Sequence, residues 1–397
     1  MPNHLNGEMI AKNTLFLTVG ELMSRALSLL LVIAIARHLG NVGMGAFAFA
    51  FAFMDILLNV ADLGLPTYLI REIAKDKQKA SFYISNIFGL RLIMAPIVIA
   101  AGVIAVLLSA STAETRILVI LATLGTAISF LNDPFRSAFL AYERASYYSM
   151  VIIIERVIFT VAGIAMLASG RGLIYVVSFF ALGQLVSLLI TTTIVRKKFT
   201  AFSIRFETSG IIQMLKSSVM FGSANLLRMI NQRTDVLMLS AMHGFAATGI
   251  YSSASRITES LRFMPIVLIA AVFPVMSRLH LQSKETLYAL YEKTTHYLLM
   301  IIVPMIIGIM ITADRTTVFL YGSAFAPAAD VLRLLILAES LLFLHYIMGF
   351  LLGAINKQHL FTISTAFYTA MNIILNILLV PSKSYIGAGI AAVATQG

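Results

Sequence analysis

The chain has no cysteine and no tryptophan, and only 12% of its 397 residues are charged. Without cysteine it has no disulfide and no thiol chemistry. The shortage of charge excludes an ordinary soluble domain, in which about a quarter of the residues are charged. No phosphate-cradling Gly-Lys-Thr loop occurs, so nothing in the chain points to nucleotide as an energy source. What is present is apolar: 59% of residues are hydrophobic and the mean hydropathy is +0.91, the composition of a polytopic membrane protein. Acidic residues are scarcer than basic ones, 18 against 29, for a net charge of +11. The basic residues sit mostly in short loops between apolar runs, where the positive-inside rule places them, and imply no nucleic-acid partner.

Runs near the roughly 20 residues that cross about 30 Å of hydrocarbon fall at 13–37, 45–65, 84–110, 117–135, 147–168 and 173–195. After a basic segment they resume at 216–242, 249–275, 295–313, 329–352 and 360–380, and a twelfth begins near 386. The start of the chain is polar and the first apolar run is of full spanning length, which predicts a transmembrane helix and not a cleaved signal. Lys and Arg concentrate in the loops that would be cytoplasmic if the N-terminus is inside, around REIAKDKQK, RSAFLAYER, RKKF, SRLHLQSKETLYALYEK and NKQH. The opposite loops are short. The expected organisation is an N-terminal six-helix lobe (13–198), a basic cytoplasmic linker (199–212) and a C-terminal lobe (213–397).

The two halves repeat. A shift of 204 lays Gly40 on Gly244, Gly45 on Gly249, Phe47 on Tyr251 and Asp55 on Glu259; a further nine residues bring Ala141 onto Ala354 and Arg144 onto Lys357. With six spans in each half, the halves share one orientation, as in repeats related by an axis along the membrane normal. The same shift predicts a twelfth helix reaching beyond residue 397, so the sequence is expected to be incomplete at that end.

Charge at lipid depth costs several kcal/mol and marks an interior or wet face. In span seven, Asn225, Arg228, Gln232 and Asp235 follow at three, four and three residues, one face of a helix, with Arg233 off it. In span one, Thr14, Thr18, Glu21, Arg25 and Ser28 form a stripe in which Glu21 stands four residues before Arg25. In span eight, Ser252, Ser255, Arg256, Glu259 and Arg262 form another. Pooled, Arg25, Arg228, Arg256 and Arg262 outnumber Glu21, Asp235 and Glu259. An excess of guanidinium suits an anionic headgroup, with pyrophosphate the natural guest. Arg37, Arg71 and Arg136 read as interfacial residues that snorkel from span ends.

A candidate cation site takes Asp235, Asn372 and Asn376, with Thr395 as a further ligand; hard oxygens of this kind suit sodium. The alternative for the Asn pair is interhelical hydrogen bonding. Asp55, Asn59 and Asp62 share a face of span two, where Asp55 carries a coupling proton or pairs with an Arg of span one. Glu155 and Arg156 do not face each other, Arg333, Glu339 and His345 share no stripe, and none of these receives a role. Pro96, Pro265 and Pro304 are candidate kinks.

LFLTVGELMSRALSLLLVIAIARHLG, GAFAFAFAF, FLNDPFRSAFLAYER, the RTDVLMLSAMHG and TGIYSSASRITESL pair, AAVFPVMSRL and LYGSAFAPAADVLRLLI occur in that order over nearly the whole chain. Together they resemble the lipid-linked oligosaccharide flippases of the polysaccharide transporter family, in one superfamily with lipid II flippases and multidrug and toxin extrusion exporters. The resemblance implies an all-α polytopic membrane protein of two pseudo-symmetric six-helix bundles around a central cavity. It implies alternating access for a polyprenyl-pyrophosphate-linked glycan, translocated from the cytoplasmic to the outer leaflet of the cytoplasmic membrane and not chemically altered. Substrate binding falls to Arg25, Arg228, Arg256, Arg262 and Glu259. Coupling falls to Asp55, Asp62, Asp235, Asn372, Asn376 and Thr395, with sodium, a proton or the membrane potential as driver and no cofactor otherwise. Membrane lipids and the machinery of glycan polymerisation or glycosyl transfer are the expected partners of a monomer. The alternatives are a cation-coupled multidrug exporter, against which the excess of Arg and the absence of Trp weigh, and a polytopic glycan polymerase or ligase, against which the short outer loops weigh.

Overall fold

A computed structural model describes residues 3–108 and 112–396. The described residues form α1 (Asn3–Asp62), α2 (Leu65–Lys75), α3 (Ala80–Leu108), α4 (Ala113–Ala141), α5 (Ala145–Ala168) and α6 (Leu173–Lys198). They continue as α7 (Thr208–Leu261), α8 (Phe263–Gln282), α9 (Lys284–Tyr321), α10 (Ala328–Ala354) and α11 (Gln358–Gln396), with one-turn 3-10 helices at Lys77–Lys79 and Ser323–Phe325. No strand occurs among the described residues. Among the described residues, eight helices are long and apolar enough to cross a membrane; α7, which carries Arg228, Arg233 and Asp235, is not one of them. Residues 109 and 110 of the expected third span, and 397, lie outside the described residues.

Three of these helices each run from one expected span into the next. α1 turns at Gly40 (φ 63°, ψ −166°), α7 at Gly244 (φ 75°, ψ −175°) and α11 at Ser384 (φ 50°, ψ −133°). The expected eighth span, 249–275, is not one helix, since the chain leaves helical hydrogen bonding at Arg262 between α7 and α8. Pro265 therefore stands in the first turn of α8, where its missing N–H costs nothing, and not at a kink. Pro96 and Pro304 do lie inside helices α3 and α9.

The repeat seen in the sequence has a physical counterpart. Gly40 and Gly244, matched by the shift, share the left-handed backbone that glycine adopts without strain. A Cβ on Gly45 would run into the carbonyl oxygen of Phe245, and one on Gly249 into that of Asn41. Asn41 and Phe245 are themselves partners under the same shift, so the close approach is reciprocal. Farther on, α4 and α10 end at the matched residues Ala141 and Ala354, and the matched Glu143 and Asn356 both have φ 58°.

The chain forms two compact units. One runs through His38 and from Ala50 to Met229; the other takes Leu39–Phe49 and Ile230 onward. In the first, α4 packs against α2, α3 and α6, and its buried Phe135 and Phe139 join Leu65, Ile84, Val151 and Val195 in the largest apolar cluster described. The segment after α6 is fastened to α3: Ser203 N–H donates to Ser85 Oγ (3.1 Å) and Glu207 N–H to Asn86 Oδ1 (2.8 Å), while Gly89 leaves room for the Arg205 carbonyl. In the second unit α10 occupies the equivalent place, packed on α8, α9 and α11.

Candidate functional site

The second unit brings most of the expected cation ligands together. Because α7 turns at Gly244, Tyr251 comes back to face Asp235, and its hydroxyl donates to Asp235 Oδ2 at 2.5 Å. Asn376 Nδ2 donates to Asp235 Oδ1 (2.7 Å), to the Asn372 carbonyl (2.9 Å) and to Asn372 Oδ1 (3.1 Å). All four side chains are buried, and Asn376 Oδ1 has no hydrogen-bond partner. A carboxylate, two amide oxygens and a phenol oxygen buried together match the hard-oxygen sites that hold small cations. Thr395 hydrogen-bonds within its own helix, to the carbonyls of Ala391 and Ala392. Tyr251 is a member that stripe reasoning misses; the available signal is the repeat itself, which sets a hydroxyl here against Phe47 in the first half.

The arginines of this unit are arranged differently from the expected stripe. Arg262, at the helix break, turns to Glu339 of α10 and binds it side-on through its Nε and Nη2 groups: Nε lies 3.0 and 2.8 Å from the two carboxylate oxygens, and Nη2 also donates to Oε1. Glu259 instead pairs with Arg256 at 3.1 Å and with Arg233 at 3.7 Å. Arg233, which falls off the stripe in sequence, thus takes the place expected for Arg262. Glu339, which receives no role from the sequence, supplies the counter-charge that withdraws Arg262.

In the first unit, Glu21 and Arg25 form the expected pair at 2.8 Å. Arg228 is exposed and donates to Asn225 Oδ1 at 3.1 Å, as their spacing predicts. The Asp55 backbone carbonyl accepts from Asn59 Nδ2 at 2.8 Å. Asp62 is engaged by Arg91 of α3, a residue that the helix stripes do not single out.

Arg91 is fully buried and explains itself through Pro134. Proline lacks an N–H, so the carbonyl four residues earlier, Phe130, loses its helical partner. Arg91 Nη1 donates to that carbonyl, and the guanidinium lies 4.2 Å from the centre of the Phe130 ring. The same guanidinium contacts Asp133 at 3.1 Å and Asp62. Arg136, expected to snorkel, is drawn inward instead: Nη2 donates to Glu155 (2.5 Å), Gln184 (2.9 Å) and Ser187 (3.2 Å), and Nη1 stands 3.7 Å from Asp133. Asn132 links Ser187 and Thr191 beside it. Glu155, given no role on its own helix, finds its partner on α4.

Comparisons with known proteins agree with this architecture. The probable low-salt glycan biosynthesis flippase Agl15 of Haloferax volcanii is 23% identical over 403 residues, covering 96% of this chain and 80% of that protein. An inward-facing multidrug resistance MATE family transporter of the MOP superfamily superposes with a TM-score of 0.72 at 19% identity, over 94% of this chain and 92% of the other. The lipid II flippase MurJ in an inward closed conformation gives 0.67 at 15% identity, over 96% and 85%. At these identities the structures establish a shared fold: a multi-pass helical membrane protein built of two pseudo-symmetric halves. The model of the polysaccharide biosynthesis protein family matches residues 10–280, more than half of the sequence, and the chain therefore belongs to that family.

Proposed function

We propose that this protein is a flippase that moves a polyprenyl-pyrophosphate-linked oligosaccharide from the cytoplasmic to the outer leaflet of the cytoplasmic membrane, with its N-terminus on the cytoplasmic side. The observation that carries the reading is Arg228: an exposed guanidinium on α7 whose hydrogen bond goes to an amide, with no carboxylate paired to it among the described residues. A permanent cation placed this way is stabilised by an anionic guest, and its planar donors fit phosphate oxygens. Arg25 and Arg256 supply further guanidinium on polar faces, paired with Glu21 and Glu259 respectively. Arg262, bound side-on to Glu339 through Nε and Nη2, serves to hold α10 against the helix break. Family membership and the flippase named among the relatives support the same substrate class.

Transport is coupled to sodium through Asp235, Tyr251, Asn372 and Asn376. The unpartnered Asn376 Oδ1, beside a buried carboxylate, is the observation that supports a cation there. Sodium neutralises Asp235 and uses the amide oxygens as neutral ligands.

The test is a liposome assay that follows exposure of a labelled polyprenyl-pyrophosphate oligosaccharide headgroup on the far leaflet. Arg228→Ala should lower the flipping rate by about ten- to a hundredfold, the equivalent of one charged hydrogen bond of about 1.5–3 kcal/mol. Unchanged flipping in Arg228→Ala would discard the site, and absence of flipping by the parent protein would discard the function.

A further inference from the structure

Arg156 is the twelfth of the 24 residues of α5, a helix long and apolar enough to cross a membrane. At 1.5 Å per residue about 17 Å of helix separates it from either end, farther than a guanidinium can snorkel. A permanent cation at that depth needs a partner. In the same unit Arg91 and Arg136 have carboxylates, Asp62 and Glu155. Among the described residues the Arg156 side chain makes no ion pair and no hydrogen bond, and its Nε is enclosed without an acceptor. Arg116 has a similar Nε, but it stands in the first turn of α4, within reach of the interface.

The face of α5 that carries Arg156 packs on α1. Ser149, Arg156, Thr160 and Gly163 fall in one narrow stripe of the helix. Ser149 Oγ donates to the Phe16 carbonyl (2.8 Å), Thr160 Oγ1 donates to the Leu27 carbonyl (3.2 Å), and a Cβ added at Gly163 would lie 2.9 Å from Leu31 Cδ1. Arg156, between Ser149 and Thr160, is therefore level with the stretch of α1 between Phe16 and Leu27. The carboxylate of that stretch, Glu21, is bound to Arg25 at 2.8 Å. Glu155, about 100° round the helix, is bound to Arg136. Both acids that stand nearest in the chain are already engaged.

We propose that Arg156 is a phosphate-binding residue that holds a phosphoryl group of the cargo beside α1, an inference that rests on the flippase reading. The open Nε decides the chemistry. Nε and the adjoining Nη form a fork that fits two oxygens on one centre, whereas a halide fills only part of it. Arg262 displays the filled arrangement in the other unit, where Nε and Nη2 engage the carboxylate of Glu339. A phosphoryl group supplies both the pair of oxygens and the missing negative charge. The sequence gives no hint of this, because Arg156 shares its stripe with small and hydroxyl residues and with no other charge.

The test is calorimetric titration of the full chain in lipid nanodiscs with geranyl pyrophosphate, a short polyprenyl pyrophosphate, and separately with inorganic pyrophosphate. Arg156→Gln removes charge and fork, and Arg156→Lys keeps the charge alone. Each should weaken geranyl pyrophosphate binding by about ten- to a hundredfold, and should do so in an Arg228→Ala background as well. Without ligand, Arg156→Gln should unfold at the parent's midpoint or above it, because the substitution removes a charge that nothing pairs. Unchanged affinity in both variants, a parent that binds neither probe, or an Arg156→Gln protein that fails to fold or unfolds earlier would overturn the proposal. Unchanged affinity in both variants beside flipping that depends on Arg228 would remove Arg156 and leave the flippase reading standing. Equal losses for the two probes, in a parent that flips no labelled carrier, would remove that reading and keep Arg156 as a site for soluble phosphate.

Discussion

Arg262 and Glu339 are mutual counter-charges, so removing either leaves the other stranded in a place that water reaches poorly. Glu339 is 5% exposed, and breaking one side of a buried pair typically costs about 3–5 kcal/mol. Arg262→Ala and Glu339→Gln should each lower the midpoint of thermal unfolding in detergent, and the double variant should lose less than the sum of the two. Strict additivity would mean that the pair is not coupled. The pair also marks the limit of what spacing can reveal. Glu21 with Arg25 is legible because both sit on one helix four residues apart, where periodicity fixes the geometry. Arg262 with Glu339 and Arg136 with Glu155 are not, because each joins two helices whose facing the sequence does not state. Arg91 escapes notice for a related reason: one of its partners is a backbone carbonyl freed by Pro134, and a helix stripe registers side chains alone.

The helix pairs joined at Gly40 and Gly244 show what the sequence can and cannot convey about elements. The offset of 204 is readable because four glycines stand where geometry tolerates little else, two for left-handed backbone and two for close approach. Gly45→Ala and Gly249→Ala should therefore each destabilise, by about 1–3 kcal/mol or more, since a methyl group would meet backbone that cannot swing aside. A Cβ added at Gly308 in α9 would have nothing within 4 Å, so Gly308→Ala is the control and should be neutral or slightly stabilising. Thermal midpoints of the three variants, measured side by side, check this; equal losses would mean that the close approach carries no weight. The break at Arg262 is not readable in the same way. The apolar run FMPIVLIAAVF continues past it, and hydropathy records burial without recording where helical hydrogen bonds stop. Pro265 is the signal, since its missing N–H leaves the Leu261 carbonyl without a helical donor and favours a new helix start.

At the scale of the whole molecule, the two units divide the charged chemistry between them. The first holds a network of three carboxylates around Arg91 and Arg136; the second holds a buried carboxylate, Asp235, surrounded by neutral oxygens and amides. A carboxylate whose described partners are all neutral is the better candidate for a metal cation, because no guanidinium among them competes for it. The matched positions explain why the first half lacks such a pocket. Tyr251 corresponds to Phe47, which has no hydroxyl to offer, and Asn376 has a shifted counterpart, Gly163, with no side chain at all. If sodium binds here, it binds the folded state alone, and it stabilises by an amount that grows with the logarithm of its concentration, about 2.7 kcal/mol at a hundred times its dissociation constant. The thermal midpoint should therefore rise as sodium chloride replaces choline chloride at constant ionic strength. Asp235→Asn should abolish the rise, Asn376→Ala should move it to higher sodium, and Tyr251→Phe should shift it less, since the phenol also serves Asp235 as a hydrogen-bond donor. A rise of the same size with potassium would show a site without selectivity, and a midpoint indifferent to sodium in the parent protein would remove sodium from the transport cycle and leave Asp235 as a hydrogen-bonded interior residue.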